Sequence, residues 1–341
     1  MDLKDFKVCK KCILPNTFKD IEFDSEGVCN YCRDNRTVSR QVTITSEERQ
    51  EHVDEIEKII AENKGKNSYD CVVGFSGGKD SAYLLWKLKV QYGLNILAVT
   101  VDHGFFPDIT DDNVKIVPKK LGIDQIIYKI NSEFMNKFFK YKFENYKTKA
   151  IFDDVCADCS NILEGSVIKI AALFKIPLVF IGLSPEQTNR YFYEMSYEHI
   201  NSQWKAEYFE DNSFILNDKK YLWNGEANEQ KDMKVIFPFH VWDYDENVIT
   251  ETLRDEELLT MEKSNPLKTR CKILDTMAYV DKHRLGYDGF VAPFSDLIRK
   301  GRAPRSKYYD LFYGEGYQFN EDHINEVIKT LGLDIERIIN K

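Results

Sequence analysis

Between about residue 45 and residue 190 the apolar positions switch repeatedly between two periods. Thr45-Ser46-Glu47-Glu48 has the form of a capping box, and Val53, Ile56, Ile59 and Ile60 follow at helical spacing before Lys64-Gly65-Lys66-Asn67-Ser68 closes the run. Cys71-Val72-Val73-Gly74-Phe75 is short and apolar, as a buried strand is, and Ser81 to Tyr92 returns to helical spacing. Ile96–Val101 predicts a second strand, Ile126–Ile130 a third, Ser160–Phe174 a helix and Pro177–Ile181 a fourth strand. Strands alternating with helices predict an α/β fold, a doubly wound parallel sheet covered on both faces.

The pattern changes after Arg190. Tyr191 to Trp223 is dense in Tyr, Phe and Trp with few clear periods, while Ile249–Met261, Leu267–Val280 and His323–Leu331 read as helices. Residues 33–44 are polar and read as a linker. The expected division is a small cysteine-bearing module and linker at 1–44, an α/β domain at 45–190, and an aromatic-rich insertion with a mostly helical substrate region at 191–341. The aromatics of that last part are expected mainly in a core, with a minority lining a substrate pocket.

Composition narrows the choices. The chain has 341 residues, 43% of them hydrophobic, which is enough to build a sizeable core. The apolar runs are too short and too often charged for a membrane span, and Met1–Asp5 has no apolar signal core, so a cytoplasmic protein is expected. Lys+Arg 47 against Asp+Glu 56 leaves a net charge of -9, which weighs against nucleic acid as a partner unless a local basic face exists.

The eight cysteines include three pairs spaced by two residues. In a reducing compartment this reads as metal or redox chemistry rather than a disulfide frame. Cys9, Cys12, Cys29 and Cys32 form two such pairs with 16 residues between them. Each pair turns tightly to present two sulfurs, and two turns close a tetrahedron, so a structural zinc ribbon is expected, with turns at Pro15-Asn16 and Glu26-Gly27. Cys71 lies in a strand and reads as a small core residue.

Phe75-Ser76-Gly77-Gly78-Lys79-Asp80-Ser81 carries the most chemistry. It follows a strand and opens a helix. Gly77 and Gly78 let the backbone bend and bring its N–H groups to an anion, and the helix start adds partial positive charge. Ser76 and Ser81 add hydroxyls, Lys79 a full charge, and Asp80 a magnesium ligand or a brace for the loop. The string is neither the GxxxxGK[ST] nor the GxGxxG pattern.

The string resembles the signature of the PP-loop ATP pyrophosphatases, the superfamily of NAD synthetase, GMP synthetase, asparagine synthetase and several tRNA-modifying ligases. That resemblance implies a Rossmann-like nucleotide-binding core with ATP and magnesium as cofactors. A substrate oxygen attacks the α-phosphorus, pyrophosphate leaves into the loop, and nitrogen or sulfur then displaces AMP. Lys79 and Asp80, with Cys156 and Cys159 further on, are the catalytic candidates. Val99-Thr100-Val101-Asp102-His103-Gly104 resembles the segment that cradles adenosine in that family, which adds Val101 and Asp102 to the ATP-binding candidates; His103 reads equally as a turn histidine. Gly182 and Gln187 partly match a further family loop, but its histidine and aspartates are missing here, and Glu186 and Gln187 are expected at the nucleotide's border.

Two branches of the superfamily are resembled. Cys9 to Cys32, with Leu14-Pro15-Asn16-Thr17 and Phe23-Asp24-Ser25-Glu26-Gly27-Val28, is similar to the front end of the bacterial N-acetyl sugar amidotransferases of surface-polysaccharide biosynthesis. Tyr69-Asp70-Cys71 and Phe294–Gly301 with Arg302 and Arg305 extend that likeness. It implies ammonia from a partner glutaminase, since no glutaminase triad is visible in the chain, and an N-acetyl or nucleotide sugar as small-molecule substrate. This is the leading expectation.

Cys156 and Cys159, with Cys271 downstream, instead resemble the iron–sulfur tRNA thiolation enzymes. There three thiolates hold a [4Fe-4S] cluster with one iron open to sulfur, which implies sulfur transfer to a tRNA nucleoside or a small molecule. A redox or persulfide pair, and a purely structural role, stay open for Cys156 and Cys159. The expected start of a helix just after them would lower their thiol pKa values. A nucleotide-binding scaffold without turnover is the third alternative, and a homodimer is an open assembly. Lys268, Arg270, Arg299, Arg302 and Arg305 are candidate phosphate contacts or solvated helix ends, and His240 reads as a core histidine.

Overall fold

The computed structural model describes residues 6–34, 45–184, 194–196, 233–260, 262–264, 266–301, 303–314 and 319–341. Its centre is a sheet ordered β3-β2-β1-β4-β6-β5, formed by β1 (Cys71–Gly74), β2 (Ile96–Asp102), β3 (Asp124–Lys129), β4 (Leu178–Ile181), β5 (Glu194–Ser196) and β6 (Lys234–Ile236). The first five in that order run parallel, and β5 pairs antiparallel on β6. The central strands β1, β2 and β4 bury both faces, as their continuous apolar runs predicted, whereas the edge strand β3 is largely exposed. Val72, Leu97, Val99 and Val179 point to one core, and Cys71, Val73, Ala98 and Phe180 to the other. Cys71 is thus fully buried, and desolvation pushes its thiol well above the ordinary range.

One face is covered by α2 (Ser46–Asn63), α3 (Lys79–Trp86, continued by a π-helical turn Lys87–Gln91), α4 (Asp108–Leu121) and α7 (Glu246–Asp255). The capping box is formed: Thr45 Oγ1 accepts the Glu48 N–H, and Glu48 accepts the Thr45 N–H. The other face holds α5 (Ser132–Asn145), α6 (Ile151–Leu173), α9 (Lys272–Leu285), α12 (Glu321–Leu331) and α13 (Ile335–Ile339). The C-terminal helices therefore share the core of the sheet, and two strands come from beyond residue 190.

Helices α4, α5 and α6 on the sheet, and Val291–Arg299, Arg305–Tyr313 and Ile335–Ile339 near the C-terminus, differ from the pattern reading. α4 and α5 stand where none was predicted: α4 is dense in charge and carries Pro118, and the Phe134, Phe138 and Phe143 face of α5 is interleaved with lysines. α6 starts nine residues before Ser160. It begins without a side-chain cap of its own, but the Asp281 carboxylate of α9 accepts the N–H groups of Ile151 (2.8 Å) and Phe152 (3.2 Å). A start signal supplied by a residue so distant in sequence has no local signature.

The N-terminal module is a pair of knuckles closed by isolated bridges, Val8 with Pro15 and Phe23 with Cys29, and a single turn α1 (Asn30–Arg33). It packs on α10 (Val291–Arg299) and α11 (Arg305–Tyr313) through a core of Ile13, Leu14, Leu285, Tyr287, Val291, Tyr308 and Phe312. A short α8 (Pro266–Thr269) precedes α9. The aromatic stretch 191–223 lies outside the described residues apart from β5. Among the described residues no helix is long and apolar enough to cross a membrane.

Candidate functional site

Strand order reverses between β1 and β4, and the carboxyl ends of these two strands open a cavity of about 820 Å³. Ser76 to Ser81 form one wall, Gly182 to Ser184 another, Tyr244 to Asn247 a third, and Leu274, Phe290, Pro293, Phe294 and Leu297 an apolar side. Gly77 takes φ +79°, and a Cβ there would meet Thr110 Cγ2 at 2.9 Å. Its carbonyl accepts from Asn113 Nδ2 at 2.8 Å. Gly182 leaves room for α3, because a Cβ there would stand 3.1 Å from Ser81 Cα. Gly78 is the N-cap of α3, so the amides of Lys79, Asp80 and Ser81 fall in a first turn with no preceding carbonyl to take them. Ser76 Oγ and Ser81 Oγ lie 3.1 Å apart and tie the loop to the helix.

Lys79 is buried and held by groups the loop motif did not name. Its Nζ donates to Asp80 Oδ1 (2.8 Å) and to the Tyr244 hydroxyl (2.9 Å), and it lies 4.0 Å from Glu246 Oε1. Tyr244 in turn donates to Asp80 Oδ1 at 2.8 Å. Tyr308, from α11, donates to Glu246 Oε2 at 2.7 Å; burial and that carboxylate push its phenol well above the ordinary range, so it stays a donor. The sequence signal for Tyr244 and Glu246 was weak: a Tyr and a Glu at the start of a helix, far from the loop in the chain.

Val101 and Asp102 sit at the carboxyl end of β2, but neither lines the cavity; Asp102 accepts the Gly104 N–H at 2.7 Å and pairs with Lys129. His103 is buried beneath Phe106 with Nδ1 accepting the Phe105 N–H, and burial lowers its pKa to about 4, which fits the turn reading. His240 is likewise buried and lowered to about 4.

Cys156 and Cys159 lie inside α6, three residues apart on one face, rather than ahead of a helix. Cys271 is the N-cap of α9, which packs on α6. The three feel one another's charge, and all are half-buried on the main core. Burial raises Cys156 and Cys159 well above the thiol range and Cys271 to about 11. The expected lowering by a helix start is therefore overturned, because the pair sits past the first turn in an apolar, acid-flanked setting. The group borders the cavity: Thr269, Arg270 and Leu274 around Cys271 line it, and Phe290 lines it while packing on Phe152 at 4.9 Å.

The described basic candidates have partners within the chain, and Arg270 also lines the cavity. Arg270 pairs with Asp275 (2.6 Å) and Asp288 (3.3 Å), Lys268 with Glu262, and Arg299 with Asp296. Arg305 donates to the carbonyls of Cys9 (2.8 Å) and Cys12 (2.9 Å). Arg305 thus ties α11 to the cysteine module, while Arg299 pairs within α10. Arg302, Glu186 and Gln187 lie outside the described residues.

The four N-terminal cysteines are buried with their sulfurs within 4.8 Å of one another. Backbone N–H groups of Lys11, Cys12 and Cys29 point at Cys9 Sγ, and that of Leu14 at Cys12 Sγ. Hydrogen bonds from Cys12, then Cys29 and Cys32, hold the Cys9 thiol far below its ordinary range. Four gathered sulfurs with amides aimed at them fit a tetrahedral metal ion. Among the described residues Cys156, Cys159 and Cys271 are not gathered so tightly.

The chain is thus an α/β fold whose five parallel strands carry the Ser-Gly-Gly-Lys-Asp-Ser loop between β1 and α3. No family model matches the chain. It is 26% identical over 175 residues to the uncharacterized protein MJ1599 of Methanocaldococcus jannaschii, covering 51% of this chain and 58% of that protein. It is 36% identical over 83 residues to the tRNA-specific 2-thiouridylase MnmA of Treponema denticola, 22% of each. The matches thus span at most 58% of these relatives. Among solved structures, the U34-tRNA thiolase NcsA from Methanococcus maripaludis with its [4Fe-4S] cluster aligns at a TM-score of 0.39 and 16% identity, over 95% of this chain and 88% of that one. The NH3-dependent NAD synthetase from Campylobacter jejuni aligns at 0.31 and 17% identity, over 67% and 93%.

Proposed function

We propose that the protein is an ATP-dependent sulfur-transfer enzyme that activates an acceptor oxygen by adenylation, releasing pyrophosphate, and replaces that oxygen with sulfur as AMP departs. The carrying observation is that Cys156 and Cys159 on α6 and Cys271 at the start of α9 share one core, with Thr269, Arg270 and Leu274 beside Cys271 lining the cavity that the phosphate loop opens. The kinship with a 2-thiouridylase over 83 residues supports a tRNA nucleoside carbonyl as acceptor.

In this reading the first-turn amides of α3 and the Lys79 ammonium take the charge of departing pyrophosphate. Asp80 Oδ1 is occupied by Lys79 and Tyr244; its Oδ2 takes no hydrogen bond among the described residues and is the candidate magnesium ligand. The apolar side at Phe290, Phe294 and Leu297 keeps water from the adenylated acceptor. A [4Fe-4S] cluster on Cys156, Cys159 and Cys271 would supply an iron open to a sulfur atom. Zinc on Cys9, Cys12, Cys29 and Cys32 has a structural role, since four thiolates leave no open position.

Ammonia delivery to an N-acetyl sugar, the leading expectation from the sequence, leaves Cys156 and Cys159 without a role. Oxygen-free purification separates the two. Sulfur transfer expects about four irons and four sulfides per chain, lost in Cys156→Ser, and ATP-to-AMP turnover that Lys79→Ala abolishes. Colourless protein with zinc alone would overturn the sulfur reading.

A further inference from the structure

The phosphate loop is connected to the four-cysteine module by a chain of polar contacts that no loop motif contains. Arg305 and Tyr313 fasten α11 to the module through the carbonyls of Cys9, Cys12 and Ile13. Midway along α11, Tyr308 is buried, its ring stacked on Phe294 at 4.3 Å, and its hydroxyl holds Glu246 Oε2. The other oxygen of Glu246 stands 4.0 Å from Lys79 Nζ, at the outer limit of an ion pair. Tyr308 itself does not line the cavity, whereas Glu246 and Lys79 do.

We infer that Tyr308 is a positioning residue for nucleotide binding: its hydroxyl holds the Glu246 carboxylate back from Lys79, leaving the ammonium available to phosphate. This rests on the proposed reading of the loop as an ATP site. Lys79 already contacts one carboxylate, on Asp80. If Glu246 closed on it as a second, the pair would compete with the pyrophosphate for the same cation, and the added negative charge would face the phosphates. A hydrogen bond from a buried phenol to a carboxylate is strong enough to decide between these two positions. The four-cysteine module thereby becomes part of the nucleotide site without touching the nucleotide, because it fixes the helix that carries Tyr308.

The test is ATP affinity by calorimetry on the full metal-loaded chain, using a non-hydrolysable ATP analogue with magnesium. Tyr308→Phe keeps the ring on Phe294 and removes only the hydroxyl. It is expected to weaken binding about tenfold with zinc content and Tm unchanged. Glu246→Gln removes the competing charge, so in that background Tyr308→Phe is expected to have no further effect. A loss that persists in Glu246→Gln would mean that α11 merely supports the fold, and the inference would fall. Unchanged affinity in Tyr308→Phe would also sink it. If the wild-type chain itself bound no analogue, the nucleotide reading would fail and take this inference with it.

Discussion

At the scale of single residues, Gly77 and the two buried histidines decide the most. The left-handed backbone at Gly77 has Thr110 against the position of a missing Cβ. Gly77→Ala is therefore expected to cost about 2 kcal/mol and to weaken ATP binding by reshaping the loop; urea unfolding and calorimetry read the two effects. His103 and His240 are buried neutral, both with pKa values lowered to about 4 by desolvation. In the unfolded chain a histidine titrates near 6.5. Their stabilising preference is thus complete above pH 6.5 and is lost as pH falls toward 4, each costing about 3 kcal/mol by then. Unfolding midpoints measured between pH 7 and pH 4 should fall less steeply in His240→Phe than in wild type, and parallel slopes would refute that account. Lys79 shows what a motif conveys: its presence was read from the string, but its partners Tyr244 and Glu246 come from a segment more than 160 residues away.

Among the elements, α6 is the one whose placement matters most for chemistry. Its apolar run was visible from Ser160 onward, but its first turns were not, because Asp281 caps them from α9. Burial raises that carboxyl to about 7 even as it accepts two N–H groups. Asp281→Ala should strand two buried amides and lower stability by about 2 kcal/mol. Hydrogen exchange should then speed up in the first two turns of α6, which hold Cys156; unchanged protection there would show that the cap contributes nothing. The contrast with α2 is instructive. There Thr45 and Glu48 lie three residues apart, so the whole capping device is local and was readable. Helix starts made by neighbours can be found in a sequence; those made by another helix cannot.

For the molecule as a whole, the four-cysteine module and the C-terminal helices form one unit. Ile13 and Leu14 share a buried cluster with Leu285, Tyr287, Val291, Tyr308 and Phe312. Removing the metal, by chelation or with Cys12→Ser, is expected to lower Tm and to expose the amides of α10 and α11 to exchange while β1 and β2 stay protected. If those two helices kept their protection, the module would be an independent appendage. The same unit gives Arg305, a candidate phosphate contact or solvated helix end in the sequence, carbonyl partners in the module, while Arg299 pairs with Asp296.

The chemistry-bearing strings, the alternation of strands and helices and the two thiolate knuckles were all present in the order of residues, because each depends on neighbours within one or two turns. That order also yielded Cys156, Cys159 and Cys271 as candidates, though not their shared place beside the cavity. Only the folded chain could bring α9 onto α6, set Tyr244 and Glu246 around Lys79, and turn the basic tail toward the cysteine module. Those arrangements depend on contacts between segments a hundred or more residues apart, whose burial and charge pairing leave no periodic trace along the chain.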